Sequence, residues 1–186
     1  MPGKLRCLLL CEDAEHEWLF RPILNRLFHR VRVEPRRPNG GFTFVLARLA
    51  EAAKYVRQRP QEAVGLLVVM DGDEAGFQKR LDAIHEVLRE VGFDRHRPDK
   101  IAICIPSRNV ETWELWLYGV RDLDEQSDYK NRFHREVRPH LRRGQLTEAW
   151  FALLSAEQRQ EESLRLPALA HGREQVKRLR DRQFFS

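Results

Sequence analysis

The sequence predicts an α/β fold in which a mostly parallel, four-stranded sheet is flanked by helices and followed by a helical C-terminal appendage. Three observations lead to this prediction. Continuous apolar runs of strand length occur in the first two thirds of the 186 residues, and such runs are typical of buried parallel strands. Helical patterns alternate with these runs, and strand patterns end after Asn109. We therefore expect an α/β domain at 1–120 and a basic helical appendage at 121–186.

The strand and helix patterns alternate in a definite order along the chain. The predicted strands are Leu5–Cys11, Val31–Pro35, Val64–Met70 and Ile101–Ile105, of which the second alternates weakly and would lie near an edge. Apolar residues recur at helical spacing after each of the first three strands, most clearly from Phe77 to Val91. This alternation implies right-handed crossovers and a sheet covered on both faces. The helices expected after Asn109 are Val110–Val120, Tyr129–Leu141, Gln145–Leu154, Ala156–Leu164 and Ala170–Arg182.

The composition is that of a globular protein, with 42% hydrophobic and 33% charged residues. It excludes a fibre and a disordered tail. The longest apolar runs are too short to span a bilayer, and the short apolar run after Met1 ends in a carboxylate, so we expect no membrane segment and no signal peptide. Cys7, Cys11 and Cys104 have neither disulfide nor zinc spacing and are interpreted as buried thiols. The sequence therefore predicts a cytoplasmic protein.

The basic charge is concentrated in one segment. The whole chain has a net charge of +5. Between positions 129 and 143 the only acidic residue is Glu136. The basic residues of that segment are Lys130, Arg132, Arg135, Arg138, Arg142 and Arg143. Such a cluster favours salt-sensitive binding of DNA or RNA, although a solvated helix face is the alternative interpretation. Arg108, between the last strand and Glu111, is a further candidate for substrate contact.

Acidic residues follow three of the four predicted strands. Glu12 follows the first, Asp71 and Asp73 follow the third, and Glu111 follows the fourth after a short loop. The carboxyl ends of parallel strands meet at one edge, where ligands bind and where clustered carboxylates need a cation. Oxygen ligands of this kind suit Mg²⁺ or Mn²⁺. The alternative is that single acids after strands are helix N-caps, which applies to Asp13 and Asp73 as well as to Asn109.

Three ordered motifs resemble the Toprim family, which includes bacterial primases, topoisomerases and OLD-type nucleases. The string DGDEAG at 71–76 is similar to the Asp-x-Asp motif of the primases. The segment EDAEHEWLFRPIL at 12–24 is similar to the opening motif of small OLD-like and RloB-like Toprim proteins. The segment IPSRNVETWELW at 105–116 is similar to their third motif. The resemblance covers about residues 5–120 and implies a Toprim-like fold with metal-dependent phosphodiester chemistry.

The resemblance also implies roles for individual residues. Glu12 would be the main metal ligand or general base, Asp71 and Asp73 would hold the metal, and Glu111 would be a further ligand or a water-orienting base. Lys130 matches, in role alone, the lysine that neutralises the transition state in OLD-like nucleases. The sequence therefore resembles an Mg²⁺- or Mn²⁺-dependent nuclease of DNA or RNA.

This chain departs from the family pattern at two positions. Asp13 replaces the usual glycine, and His16 stands where OLD-like nucleases commonly have a second glutamate. A neutral histidine ligates Mn²⁺ better than Mg²⁺, so His16 is a candidate metal ligand. Neither a topoisomerase tyrosine with its DNA-binding domain nor a primase zinc module is recognisable, which leaves hydrolysis as the expected reaction.

The resemblance further suggests a biological context and leaves two alternatives open. Small Toprim proteins of this type are similar to the nuclease half of phage-defence systems whose other half is an ABC-type ATPase. This chain has no Walker A string, so an ATPase would be a separate partner. The first alternative is a non-catalytic module that binds an ATPase or nucleic acid. The departures from the family pattern at Asp13 and His16 favour it. The second is a phosphoacceptor receiver with Asp71 as acceptor, although no lysine follows Ile101–Ile105.

Overall fold

The computed structural model describes residues 6–34, 41–59, 64–93, 100–142, 144–155 and 165–181. Within these ranges the four predicted strands form one all-parallel sheet with the order β2-β1-β3-β4. The strands are β1 (Arg6–Cys11), β2 (Arg30–Val33), β3 (Val64–Val69) and β4 (Ile101–Cys104). The predicted α/β class, with helices on both faces of the sheet and helices at the C-terminal end, is confirmed and is consistent with a Toprim-like fold.

Helices connect and follow the strands. They are α1 (Ala14–Leu27), α2 (Gly41–Arg57), α3 (Gly76–Glu90), α4 (Val110–Tyr118), α5 (Lys130–Arg132), α6 (Gln145–Ser155) and α7 (Pro167–Asp181). The short α5 continues as a π-helical turn at Phe133–Val137 and a 3-10 turn at Arg138–His140. The helix predicted at Ala156–Leu164 lies outside the described residues.

Alternate residues of the strands form two apolar layers. Cys7 and Leu9 of β1 face α1, α4, α6 and α7, whereas Leu8 and Leu10 face α2 and α3. The helices after residue 120 belong to the first layer, where Trp150 of α6 packs against Phe20 of α1 with ring centroids 5.4 Å apart. The segment 121–181 therefore shares its described apolar core with the sheet.

Two expectations from composition can be compared with this structure. Cys7, Cys11 and Cys104 all lie in described ranges and are buried thiols outside any disulfide, as predicted. Burial raises the pKa of the Cys7 and Cys104 thiols, so both are protonated at neutral pH. Within the described residues, no helix has the length and apolar character needed to cross a membrane.

The strand order locates the place where a ligand is expected. The chain passes from β1 to β2 on one side and then returns to place β3 on the other side of β1. In open α/β sheets, ligands bind outside the carboxyl ends of the strands at such a reversal of direction. Glu12 directly follows β1 and Asp71 follows β3, so both acids lie at this point.

Candidate functional site

The segments after β3 and β4 run side by side beyond the sheet. The backbone N–H of Gly72 donates to the Pro106 carbonyl at 2.8 Å, and that of Asp73 donates to the Arg108 carbonyl at 3.0 Å. A Cβ atom at position 72 would collide with the carbonyl oxygen of Ser107, so this close approach requires glycine. Asp73 itself adopts a positive φ of 51°, a conformation that is uncommon outside glycine but that aspartate adopts more readily than most residues. The DGD string is therefore held tightly against the third motif.

A hydrogen bond links Glu12 and Asp71. The backbone N–H of Asp71 donates to Glu12 Oε2 at 3.1 Å. Asp71 is 3% exposed, and Glu12 is half-buried. Burial raises the pKa of Glu12 above its ordinary value, and the negative charges of Asp71 and Asp73 act in the same direction. Three carboxylates thus share a small region at the ends of β1 and β3.

His16 lies between two of the acids. Asp13 is the N-cap of α1, and its side chain accepts hydrogen bonds from the backbone N–H groups of Glu15 and His16. The His16 ring is fully buried, with Nδ1 2.7 Å from Asp13 Oδ1 and Nε2 3.0 Å from Asp71 Oδ1. Because ionised carboxylates only accept, both ring nitrogens must carry protons, and His16 is an imidazolium.

The charge on His16 follows from a balance of opposing effects. Burial acts to lower its pKa, but the charges and hydrogen bonds of Asp71 and Asp13 outweigh burial and raise the pKa well above the ordinary value. The same pairing holds the pKa of Asp13 well below its usual range, although burial opposes this. In this arrangement His16 offers no lone pair to a metal, in contrast to the ligand role expected from the sequence. The cap interpretation of Asp13 is confirmed.

Basic side chains from the segment after α4 complete the site. Lys130 Nζ is 3.7 Å from Asp71 Oδ2, and His134 Nε2 is 3.5 Å from Glu111 Oε1. Arg138 donates a short hydrogen bond to Glu15 of α1. These three basic residues are spaced by four, so they form a row along one side of α5 and its π-helical and 3-10 continuation. We call its two cations, Lys130 and Arg138, the cation row.

Lys130 and Glu111 each shift the pKa of the other, and the charge of Asp71 acts on both. Burial acts to lower the pKa of Lys130, but the charges of Asp71 and Glu111 outweigh burial and raise the pKa overall. The charged ammonium form is therefore favoured over the neutral amine. Glu111 is 2% exposed, and burial raises its pKa, with a further contribution from the charge of Asp71. Glu111 Oε2 is buried and has no hydrogen-bond partner within the described ranges.

Glu114 is a second buried carboxyl group on α4, one turn after Glu111. It is 0% exposed, and neither carboxyl oxygen has a hydrogen-bond partner in the part of the chain that the structure describes. Burial raises its pKa well above the ordinary value, and the charges of Glu111 and Glu15 add to this effect. A buried carboxyl group without a partner is far more stable when protonated.

Asp73 and Arg108 lie at the outer side of the site. Arg80 of α3 pairs with Asp73 Oδ2 at 3.2 Å, and Asp73 is not the cap of α3, whose N-cap position is occupied by Ala75. Arg108 is 3.9 Å from Glu74, which is almost fully exposed. Asp73 and Arg108 therefore lie at the mouth of the site, whereas Asp71 and Glu111 lie inside it.

The other basic residues of the 129–143 segment have a different environment from the cation row. Arg132 is 3.4 Å from both Asp122 and Glu136, and Arg135 pairs with Glu136 at 2.6 Å. Arg142 is exposed, and Arg143 lies outside the described residues. The predicted basic stretch thus divides into cations that face the acids and cations that face solvent.

The residues present fit a hard divalent cation in their chemistry. The donors are carboxylate oxygens, and Glu111 Oε2 is buried without a partner. Burial is the main cause of the raised pKa of Glu12, and the charges of Asp71 and Asp73 add to it, an effect that a bound cation would oppose. Over the described ranges, however, no group of three or more His, Cys, Asp or Glu side chains is arranged closely enough to hold a metal ion. In this structure His16 and Lys130 supply the compensating positive charge.

Sequence reasoning missed three residues of the site: His134, Glu114 and Glu15. The spacing of four from Lys130 to His134 and Arg138 was the available signal for the row, because residues four apart lie close together on a helix. The step of three from Glu111 to Glu114 was a similar signal on α4. No local pattern indicates Glu15, whose partner Arg138 is distant in the sequence.

Comparisons of this chain with protein-family models, with curated proteins and with solved structures find no match. The chemistry of the site itself is therefore the basis for assigning a function.

Proposed function

We propose that this protein hydrolyses phosphodiester bonds in DNA or RNA with the help of Mg²⁺ or Mn²⁺. The observation that carries the proposal is the meeting of Glu12, Asp71 and Glu111 with Lys130 at the reversal point of the sheet. Acids that attract a metal and a lysine that attracts phosphate are the two components that this reaction needs. The resemblance of the three motifs to Toprim nucleases supports the same chemistry.

Each residue has a defined part in this proposal. Glu12, Asp71 and Asp73 would hold the cation once they draw closer together than they lie in this structure, and the bound cation would polarise a phosphoryl oxygen and make water more acidic. Glu111 Oε2 would accept the proton of the attacking water, a task that its raised pKa favours. Lys130 would stabilise negative charge on the phosphoryl oxygens.

His16 would act as a positioning residue. Its Nε2–H donates to Asp71 Oδ1, while its Nδ1–H is held by Asp13 on the N-terminal end of α1. The imidazolium therefore fixes the orientation of the Asp71 carboxylate and leaves Oδ2 toward Lys130.

A non-catalytic binding module is the second candidate, and one observation favours it. His16 and Lys130 already compensate the charge of Asp71 in this structure, so the acids do not require a metal for stability. In that case the cation row and the neighbouring arginines would bind nucleic acid or an ABC-type ATPase without chemistry.

The deciding experiment is a cleavage assay on plasmid, single-stranded DNA and RNA in Mn²⁺, Mg²⁺ or EDTA, with and without a candidate ABC-type ATPase. We expect cleavage with a divalent metal and none in EDTA. Asp71→Asn should abolish cleavage, and Lys130→Met should lower the rate by about 10²- to 10³-fold because charge stabilisation is lost. Mn²⁺ should also raise the unfolding midpoint of the wild type and not of Asp71→Asn.

Asp82→Asn is the matched control, because Asp82 is an exposed aspartate on α3 outside the site. It should cleave at the wild-type rate. Cleavage by Asp71→Asn at the wild-type rate would show that this site does not perform the reaction. Binding of nucleic acid without cleavage under every metal and partner condition would assign the protein to the second candidate.

A further inference from the structure

Trp18 of α1 differs from the other tryptophans of the chain. It is the only large hydrophobic side chain among the described residues that is exposed, with 40% of its surface accessible. Trp113 and Trp150 are fully buried, and Trp116 is half-buried. No feature of the acidic site described above uses Trp18.

Contacts on one side hold the indole ring in place. The guanidinium carbon of Arg138 lies 5.0 Å from the ring centroid of Trp18, and Arg138 is itself fixed by its hydrogen bond to Glu15. Phe133, which is fully buried, lies 6.5 Å from Trp18 between ring centroids. The exposed ring is therefore a fixed surface rather than a freely rotating side chain, and a ligand that stacks on it loses little further freedom.

Trp18 is also adjacent to the acidic site. Its partner Phe133 contacts the ring of His134 at 5.4 Å, and His134 Nε2 is 3.5 Å from Glu111 Oε1. A chain that lies on Trp18 can therefore extend toward the acids.

We propose that Trp18 and Arg138 form a stacking platform for an unpaired base of single-stranded nucleic acid. The inference rests on the proposed function, because it specifies the form of the substrate that enters that site. Unpaired bases stack on aromatic rings and on arginine guanidinium planes, whereas the bases of a duplex already stack on one another. The cations of the same segment, including Lys130 and the exposed Arg135, would attract the phosphates on either side of the base.

The charge around Trp18 favours a nucleic acid over an apolar partner surface. Arg138 lies over the ring and pairs with Glu15, and Arg21 lies one turn further along α1 and pairs with Glu17. An apolar protein partner would have to desolvate both ion pairs, whereas beside a nucleic acid the guanidinium groups can stay hydrated or pair with phosphates.

The test is a binding measurement in EDTA, so that it does not depend on cleavage. Fluorescence anisotropy is recorded at low salt with labelled single-stranded DNA and RNA of one sequence and with the matching duplex. We expect Trp18→Ala and Trp18→Leu to weaken single-strand binding by about tenfold, which is the usual effect of losing one base–aromatic stack. Duplex binding should change less than twofold, and Trp18→Phe should restore most of the affinity. The larger of the two single-strand effects identifies DNA or RNA as the preferred ligand.

A matched control and a direct signal complete the test. Trp116→Leu removes a second tryptophan that lies under an arginine, at 4.5 Å from Arg121, and should leave binding unchanged. Stacking of a base should quench tryptophan fluorescence in the wild type and much less in Trp18→Phe. Equal single-strand affinities of the wild type, Trp18→Ala and Trp18→Leu, or the absence of wild-type binding, would overturn the inference.

Its failure can be distinguished from failure of the proposed function. Trp18-dependent binding without metal-dependent cleavage would support the platform and reject the nuclease. Cleavage of single strands at the same rate by the wild type and Trp18→Leu, with equal affinities, would support the nuclease and reject the platform. Asp82→Asn, which changes an exposed residue of α3 outside the site, should bind as tightly as the wild type in EDTA.

Discussion

Two fully buried ionisable residues near the sheet edge have opposite environments. His16 has a carboxylate oxygen at each ring nitrogen, so its positive charge is compensated on both sides. Glu114 has no hydrogen-bond partner for either oxygen among the described residues. Burying an uncompensated charge costs much more free energy than burying the neutral acid. We therefore expect His16 to be charged and Glu114 to be protonated in the folded protein at neutral pH.

The protonation of Glu114 makes the stability of the fold depend on pH. Its pKa is raised in the folded state, chiefly by burial and also by Glu111 and Glu15, against the opposing charges of Arg138 and His16. Above the ordinary pKa of about 4.3, the unfolded chain releases this proton while the folded chain keeps it. The folded state then binds more protons, so the free energy of unfolding falls as pH rises toward the raised pKa. Glu114→Gln should make that fall shallower by up to about 1.4 kcal/mol per pH unit.

The measurement is urea denaturation of the wild type and Glu114→Gln at several pH values between 5 and 8. The difference between the two proteins isolates Glu114, because Glu12 and Glu111, whose pKa values burial also raises, are present in both. Glu86→Gln on the exposed side of α3 is the control and should follow the wild type. Parallel curves for the wild type and Glu114→Gln would mean that Glu114 is ionised in both states.

At the scale of elements, Glu125 ties the C-terminal helix to the loop after β4. Its carboxylate accepts hydrogen bonds from the backbone N–H groups of Ala168 and Leu169, at 3.0 and 3.1 Å, in the first turn of α7. It also accepts from the Ser107 hydroxyl at 3.0 Å. Burial raises the pKa of Glu125, although these hydrogen bonds oppose the rise. One buried side chain thus fixes both the start of α7 and the loop that carries the third motif.

Removing this connection should destabilise α7 first. Glu125→Gln places an amide donor where two backbone donors and a hydroxyl require acceptors, and we expect a loss of about 1–3 kcal/mol in the free energy of unfolding. Amide hydrogen exchange at Ala168 and Leu169 should accelerate more than exchange in β1. Glu148→Gln, at an exposed glutamate of α6, is the control. It should change the free energy of unfolding by no more than about 0.5 kcal/mol and leave exchange at both amides unchanged. Unchanged exchange at both amides would show that α7 is held by its apolar contacts alone.

The elements also show how far the sequence could predict the structure. The buried strands β1, β3 and β4 were predictable because each is a continuous apolar run, and parallel order then placed Glu12 and Asp71 at one edge. The π-helical turn was not predictable, because it depends on Phe133 and Val137 packing around Leu115 of α4. Local spacing indicates a regular helix there, and only this tertiary contact brings the cation row to the acids.

The same limit applies to individual residues of the site. His16 was recognised as a site residue from its position in a motif, but its role was not, because both of its partners must be known before its charge can be assigned. Glu114 lies between tryptophans that pack in the core, so its neighbours in the sequence indicated packing alone. Its burial without a partner is a property of the folded chain.

At the scale of the whole molecule, the acids and the cation row are held together by one apolar layer. The layer joins β1, β3 and β4 to α1, α4, α6 and α7, and it includes Trp150 and Leu179 from beyond residue 120. Leu179 packs against β3 at Gly65, where a Cβ atom would lie 2.9 Å from Leu179 Cδ1. A layer shared in this way makes the two parts of the chain depend on each other for stability.

We therefore expect the described chain to unfold as one cooperative unit. Leu179→Ala removes a side chain that is 6% exposed and should lower the free energy of unfolding by about 2–5 kcal/mol. Because the core is shared, amide hydrogens that exchange through global unfolding should report the same loss in the free energy of unfolding in peptides from β1 and from α6. Hydrogen exchange followed by mass spectrometry measures this. Lys177→Ala, on the half-buried side of α7, is the control and should cost less than about 1 kcal/mol. If α6 and α7 lost protection while β1 kept the wild-type value, residues 121–181 would instead be a separately folding domain.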